Sequence, residues 1–195
     1  MNEFKTKFKL GLIVGSNRRE SINRALAQAL GQLGADRFEA TIVRIDDLPI
    51  YNQDLEAALP DSVVRFKAEV EASDAILFVT PEHSRSIPAV LKSAIDWGTR
   101  PWGQNSWTGK TAAVTGTSQG AVATAVAQQH LRAVLGDIGM VVMGGEAYIS
   151  FKPGLLDERH AVTNASVRAF LKAFLDQLAA LTAKLTTKVA PRAAA

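Results

Sequence analysis

The stretch that decides the fold reads Leu-Gly-Leu-Ile-Val-Gly-Ser-Asn-Arg-Arg-Glu-Ser-Ile-Asn-Arg-Ala-Leu-Ala and occupies residues 10 to 27. It begins with an apolar run that ends at Val14, and such a run predicts a buried strand. A loop with two serines and two arginines follows, and helical spacing of apolar residues begins at Ile22. A strand, a hydroxyl-rich loop and a helix start in this order are typical of an anion-binding site, because the first backbone N–H groups of a helix are free to bind a phosphate.

Beyond this stretch, short apolar strands alternate with longer amphipathic helices. The predicted strands are Lys9 to Val14, Glu39 to Ile45, Ala75 to Thr80, Thr111 to Gly116 and Met140 to Met143. The predicted helices are Ile22 to Leu33, Val63 to Ala72, Ala89 to Trp97, Ala121 to Leu135 and Glu158 to Thr186. Continuous apolar strands separated by helices predict a parallel sheet that is covered on both faces. We therefore expect a three-layer α/β/α sandwich with five parallel strands in the flavodoxin-like order 2-1-3-4-5.

The composition fits one globular domain and excludes several classes of protein. Of the 195 residues, 47% are hydrophobic and 21% are charged, and the formal net charge of +3 comes without the basic clusters of a nucleic-acid binder. The chain has no cysteine, which excludes disulfides, thiolate metal sites and a cysteine nucleophile. We expect one domain over residues 1–188, a disordered tail at 189–195, no metal, and a cytoplasmic protein without a signal peptide or membrane span.

Ligands of open parallel sheets bind beyond the carboxyl ends of the strands, so the loops at that edge matter most. The first loop, residues 15–23, lacks both the glycine pattern of a dinucleotide fingerprint and the lysine of a nucleoside-triphosphate loop. Its hydroxyls and arginine suit a compact terminal phosphate better than a pyrophosphate. The alternative is that Ser21 only caps the helix and that the arginines are solvated.

Two further loops follow the third and fourth predicted strands. The second loop runs from Pro81 to Ile87, and the prolines at 81 and 88 should fix its backbone so that its amides can recognise the edge of a heteroaromatic ring. The alternatives are a histidine without a role at position 83 and a carboxylate at position 82 that only pairs with Arg85. The third loop, residues 115–121, consists of small and hydroxyl residues that let a flat ligand approach the backbone.

Together the three loops resemble the NADPH-dependent FMN reductase family of the flavodoxin-like superfamily, whose members include chromate, quinone and azo reductases. The resemblance rests on G-S-x-R-x-x-S-x-N at residues 15–23, P-E-x-x-x-S-x-P-x-x-L-K-x-A-I-D-W at residues 81–97, and the glycine-rich turn at residues 116–120. It extends over nearly the whole chain, from Lys9 to Leu185. The second motif is the most discriminating of the three.

The resemblance implies an FMN-dependent oxidoreductase that passes electrons in ping-pong fashion from NADPH or NADH through non-covalently bound FMN to quinones, chromate or other small acceptors. The chemistry is then carried by FMN, with no catalytic side chain. A homodimer or homotetramer is also implied, in which a neighbouring copy helps to enclose the flavin. The implied phosphate-side residues are Ser16, Arg18, Ser21, Ile22 and Asn23, the ring-side residues are Pro81, Glu82, His83 and Ser84, and those of the other flank are Thr117, Ser118, Gln119 and Gly120.

The chain departs from the family pattern in the second loop. Pro81-Glu82-His83-Ser84 stands where family members commonly have Pro-Glu-Tyr-Asn. An imidazole beside Arg85 makes the entrance more polar, which predicts a preference for anionic electron acceptors. Arg100 is a second predicted substrate contact, in a stretch with tryptophans at 97, 102 and 107; the alternative is that this stretch packs on its own domain or against another subunit.

Two other functions stay open at this point. A flavodoxin-type electron carrier or a flavin-binding regulatory protein would use the same fold, although carriers tend to be acidic and this chain is slightly basic. A serine esterase is the third reading, because residues 116–120 have the G-x-S-x-G spacing of a nucleophile elbow around Ser118, with His130 or His160 as the base. The esterase reading leaves the first and second loops unexplained.

Overall fold

The computed structural model describes residues 7–186 and consists of a parallel sheet with helices on both faces. The strands are β1 (Phe8–Val14), β2 (Phe38–Ile42), β3 (Ala75–Val79), β4 (Thr111–Ser118), β5 (Val141–Val142) and β6 (Tyr148–Ser150). The helices are α1 (Ile22–Leu33), α2 (Asp61–Glu71), α3 (Ala89–Gly98), α4 (Ala125–Asp137) and α5 (Ala165–Thr186), with a short 3-10 helix at Gln53–Leu55. The tail predicted at residues 189–195 lies outside the described residues.

The strand order β2-β1-β3-β4-β5 confirms the predicted flavodoxin-like topology. All neighbouring strands are parallel, and β3 is buried along its whole length between β1 and β4. One face of the sheet packs against α1 and α5 through residues such as Leu30 and Leu175, and the other face packs against α2, α3 and α4 through residues such as Phe66 and Leu131. Burial on both faces explains why the strands are continuously apolar.

The edge of the sheet beside β4 differs from the prediction of a single fifth strand. The first residues of β4 pair with β5, and its last residues, Gly116 to Ser118, pair with the additional strand β6. Between these two short strands, Arg132 of α4 donates hydrogen bonds of 2.6 Å to the carbonyl oxygens of Met143 and Gly145. The fifth position of the sheet is therefore divided between two short strands, and Arg132 binds the segment that connects them.

Two helices begin later than their sequence pattern predicts. We predicted α4 from Ala121, but Ala123 has a left-handed backbone with φ 49°, and the helix begins at Ala125. The last helix was predicted from Glu158, but the side-chain oxygen of Asn164 accepts hydrogen bonds from the N–H groups of Ser166 and Val167, which marks the N-cap there. None of the helices within the described residues has the length and apolar character needed to cross a membrane.

Candidate functional site

A cleft of about 650 Å³ opens at the carboxyl ends of β1, β3 and β4, where the three predicted loops meet. Its volume is within the range of about 300–1,000 Å³ that is typical of small-molecule sites. The predicted residues that line it are Ser16, Arg18, Ser21, Ile22, Asn23, Pro81, Glu82, His83, Thr117, Ser118 and Gln119. The start of α3, residues 88–90, also lines the cleft and was missed as a contact, although the second motif extends across it.

The first loop presents the N-terminus of α1 to the cleft. Ser21 is the N-cap residue, and its hydroxyl accepts a hydrogen bond of 3.3 Å from the N–H of Arg24. Arg18 is exposed and lines the cleft, whereas Arg19 lines a separate cavity on the outer side of α1. The helix N-terminus, the hydroxyls and one guanidinium give this end of the cleft the donors and the positive charge that a terminal phosphate requires.

The side chain of Asn23 joins the first loop to the third. Its amide nitrogen donates to the carbonyl oxygen of Thr117 and its amide oxygen accepts from the N–H of Thr117, both at 2.9 Å and both buried. The hydroxyl of Thr117 in turn donates to the carbonyl oxygen of Ile149 in β6. These side chains therefore fix the loops relative to each other, and the amide of Asn23 is occupied by Thr117.

The second loop forms a tight turn, the 83–86 hairpin, which comprises His83 to Ser86. The backbone N–H groups of His83 and Ser86 each donate to the carbonyl oxygen of the other residue, at 3.0 and 2.9 Å. Ser84 and Arg85 both have left-handed backbones, with φ of 48° and 61°. A two-residue turn with positive φ at both central positions favours Gly or Asn there, so this hairpin is strained.

The carboxylate of Glu82 points to α4 rather than serving as a free group in the cleft. Its side chain is only 8% exposed, and it accepts hydrogen bonds from the N–H groups of Val126 and Ala127 and from the guanidinium of Arg85. Burial alone would raise the pKa of this carboxyl, but the N–H of Ala127 and the guanidinium of Arg85 outweigh it and hold the pKa below its usual value. The Glu82 side chain is therefore bound to α4 and to Arg85.

The geometry around Ser118 does not support the esterase reading. The hydroxyl of Ser118 donates to the carbonyl oxygen of Ala123 at 2.6 Å and so closes the turn that precedes α4. The imidazole of His130 lies 2.9 Å from the hydroxyl of Ser86, and His160 lines the cavity on the outer side of α1. His130 thus pairs with Ser86 rather than Ser118, and His160 lines a different cavity from Ser118.

The two predicted substrate contacts occupy different places. Arg85, whose side chain is 69% exposed, lines an adjoining shelf of about 450 Å³ together with Ser84, Gly120 and Val122. Arg100 follows the far end of α3, a ten-residue helix that is about 15 Å long. Its guanidinium lies 3.9 Å from Glu56 and 5.9 Å from the ring of Trp102. Arg100 is therefore outside the cleft of its own chain.

The donor set of the cleft fits FMN. At one end, Ser16, Arg18 and Ser21 at the N-terminus of α1 suit a single phosphate. The second and third loops line the rest of the cleft with residues 81–83 and 117–119, and we call the space between these two groups the ring slot. The first loop lacks the glycine pattern of the sites that bind extended pyrophosphates. The three tryptophans near Arg100 differ in exposure: Trp97 and Trp107 are fully buried, whereas Trp102 is 87% exposed.

Comparisons with known proteins agree with this geometry. A family model described as NADPH-dependent FMN reductase matches residues 8–154. A 2-hydroxy-1,4-benzoquinone reductase from Burkholderia sp is 42% identical over 84% of this chain and 90% of its own length. A quinone reductase from Pseudomonas putida is 45% identical over 85% of this chain and 89% of its own length. The solved structure of FerB, a flavoenzyme NAD(P)H:(acceptor) oxidoreductase from Paracoccus denitrificans, superposes with a TM-score of 0.88 at 43% identity, and covers 91% of this chain and 98% of FerB.

Proposed function

The chain belongs to the NADPH-dependent FMN reductase family, and from this premise we propose that it uses FMN in the cleft to reduce small quinones with NADPH or NADH. The observation that carries the proposal is the convergence of the three loops on one cleft, with the N-terminus of α1 at one end and the second and third loops along the rest. Two relatives with 42% and 45% identity are quinone reductases by name, which supports a quinone as the acceptor.

The chemistry that FMN supplies is acceptance of a hydride from the nicotinamide and transfer of electrons to a second substrate. The residues of the chain bind FMN and orient it. Ser16, Arg18 and Ser21 would hold the phosphate of FMN, and the residues from Pro81 to His83 and from Thr117 to Gln119, which line the two sides of the ring slot, would hold its ring. Backbone N–H groups at fixed positions also stabilise negative charge that develops on a bound ring.

We further propose a preference for acidic quinones and other anionic acceptors. Arg85 extends from the shelf beside the cleft mouth, and His83 lines the cleft itself, where the family commonly has a tyrosine. A 2-hydroxyquinone loses its hydroxyl proton readily, because the resulting charge is shared with a carbonyl, and it would then meet these two side chains as an anion. Chromate, also an anion, belongs to the same proposal.

We also propose that the protein forms a homodimer or homotetramer and that it is located in the cytoplasm. Trp102 and Ile50 are 87% and 70% exposed, and a second copy that covers them would bury two of the large apolar side chains now facing solvent. Such a contact would also give Arg100 a route to a neighbouring cleft, which its own chain does not provide. The cytoplasmic location is supported by the proposed electron donors, which are cytoplasmic metabolites.

The test is turnover by the FMN-loaded protein. We expect NADPH or NADH oxidation that depends on added 2-hydroxy-1,4-naphthoquinone, and a slower rate with neutral 1,4-naphthoquinone. A protein that binds FMN but leaves NADPH and NADH unoxidised in the presence of both quinones would instead be an electron carrier or a regulatory protein. His83→Tyr tests the acceptor preference, because unchanged relative rates with chromate, ferricyanide and a neutral quinone would refute a role for the imidazole.

A further inference from the structure

Helix α4 receives its N-terminal cap from a distant part of the chain. The hydroxyl of its own N-cap residue, Thr124, accepts a hydrogen bond from the amide of Gln128 rather than capping the first turn. The N–H groups of Val126 and Ala127 donate instead to one carboxylate oxygen of Glu82, at 3.0 and 3.1 Å. A carboxylate in this position satisfies two free N–H groups and interacts favourably with the helix dipole.

The same carboxylate holds the strained 83–86 hairpin. Its second oxygen accepts a hydrogen bond of 2.8 Å from Arg85, one of the two residues with a left-handed backbone. A separate contact, between the hydroxyl of Ser86 and the imidazole of His130, joins the hairpin to α4 at a point further along the helix. The hairpin is thus attached to α4 twice, through Glu82 and through Ser86, and both attachments offset the unfavourable backbone of the turn.

The two elements joined by Glu82 carry the two sides of the ring slot. The hairpin carries His83 on one side, and the turn that leads into α4 carries Ser118 and Gln119 on the other. The hydrogen bond from Ser118 to the carbonyl oxygen of Ala123 fixes that turn to the start of α4. We propose that Glu82 is a positioning residue that sets the width of the ring slot by holding the hairpin and the start of α4 together.

This inference rests on the proposed function, because it takes the slot to be the place where the flavin ring binds. A purely structural role for Glu82 would lower the unfolding temperature of the protein without changing the signal of the bound flavin. A positioning role changes the surroundings of the ring itself. The two roles are therefore separated by the visible circular dichroism of bound FMN, which reports on the ring and not on overall stability.

The experiment compares Glu82→Gln with Glu69→Gln in the FMN-loaded protein. Glu69 is a matched control, since it pairs with Arg65 at 2.9 Å and lies away from the cleft. We expect Glu82→Gln to raise the dissociation constant of FMN about tenfold, to alter the visible circular dichroism and to raise the KM for the quinone more than it lowers kcat. The inference is overturned if Glu82→Gln matches the wild type and Glu69→Gln in FMN affinity and in the flavin spectrum.

A second variant keeps the inference testable if Glu82→Gln does not fold. Ser86→Ala removes the other attachment of the hairpin at a partly exposed site, and we expect a rise of about threefold in the FMN dissociation constant. Wild-type affinity in that variant would contradict the role of the hairpin attachments. FMN binding is measured without a quinone, so a wild type that binds FMN but reduces no quinone would refute the proposed function and leave this inference standing.

Discussion

The first loop and the 83–86 hairpin lie on the same cleft, but they are stabilised in different ways. The helix at the first loop has a local cap, because Ser21 caps α1, which begins at the next residue, and Asn23 adds a long-range connection to Thr117. The hairpin contains two left-handed residues and depends on partners in α4 that lie 44 residues away. The comparison shows that the helix at the phosphate end of the cleft is capped by a residue next to it, whereas the helix at the ring end is capped by the distant Glu82.

The largest effect should come from cutting the connection between the first and third loops. Asn23→Ala leaves the buried N–H and C=O groups of Thr117 without their amide partner, and we expect a loss of about 3 kcal/mol in the free energy of unfolding. Urea unfolding of the FMN-free protein measures it. A loss below about 1 kcal/mol would show that the loop does not need this connection.

The next effect concerns the phosphate end. Arg18→Ala removes the guanidinium that lines the cleft, and we expect the dissociation constant of FMN to rise about 50-fold, as for the loss of a charge-assisted hydrogen bond. Arg19→Ala is the control, because Arg19 lines the outer cavity. Isothermal titration with FMN measures both variants, and equal effects would mean that the two arginines act only through general charge.

A smaller effect is expected at the ring end of the cleft, where the stability contributed by Glu82 should depend on pH. The pKa of Glu82 is lowered in the folded state, so its ionised form stabilises the protein above the ordinary carboxyl pKa of about 4.3 and this contribution is lost as the pH falls through the folded pKa. We expect the wild type to exceed Glu82→Gln by about 1.5 kcal/mol in unfolding free energy at pH 7. Urea unfolding at falling pH should show the two proteins converging, and a constant difference would contradict the ion-paired assignment.

The smallest effect tests the strain of the hairpin. Asn tolerates a left-handed backbone better than Ser, so Ser84→Asn should stabilise the protein by about 0.5 kcal/mol. Ser62→Asn in α2 has helical surroundings and should bring no such gain. Thermal unfolding measures the stability of both variants. A loss of stability in Ser84→Asn would mean that the left-handed backbone at residue 84 is not a source of strain.

The same contrast explains how much the sequence predicts. The strand order and the bounds of α1 follow from apolar periodicity and from a local cap at Ser21, and both are confirmed by the structure. The capping role of the Glu82 side chain has no local signal, because its partners in α4 are distant in sequence. The pairing of Glu82 with Arg85 does have a local signal, because the two residues are three positions apart, and it is one of the alternatives that the sequence predicts for Glu82.

The late start of α4 and the unpredicted strand β6 have related causes. The small apolar residues from Ala121 onward fit a helical pattern, but the left-handed backbone of Ala123 delays α4 until Ala125. The strand β6 has only three residues and is separated from β5 by a segment that Arg132 binds, so periodicity alone gives too little signal to detect it. In both places a tertiary contact or a single backbone angle overrides the local pattern.

The most direct test of the central claim is anaerobic absorption spectroscopy of the FMN-loaded protein. We predict that a stoichiometric amount of NADPH or NADH bleaches the flavin absorbance and that a subsequent addition of excess 2-hydroxy-1,4-naphthoquinone restores it. A flavin that stays oxidised even in excess NADPH and NADH would contradict the assignment of the cleft as the site of an FMN-dependent quinone reductase. A flavin that is reduced by stoichiometric NADPH or NADH and stays bleached after excess quinone is added would contradict it equally.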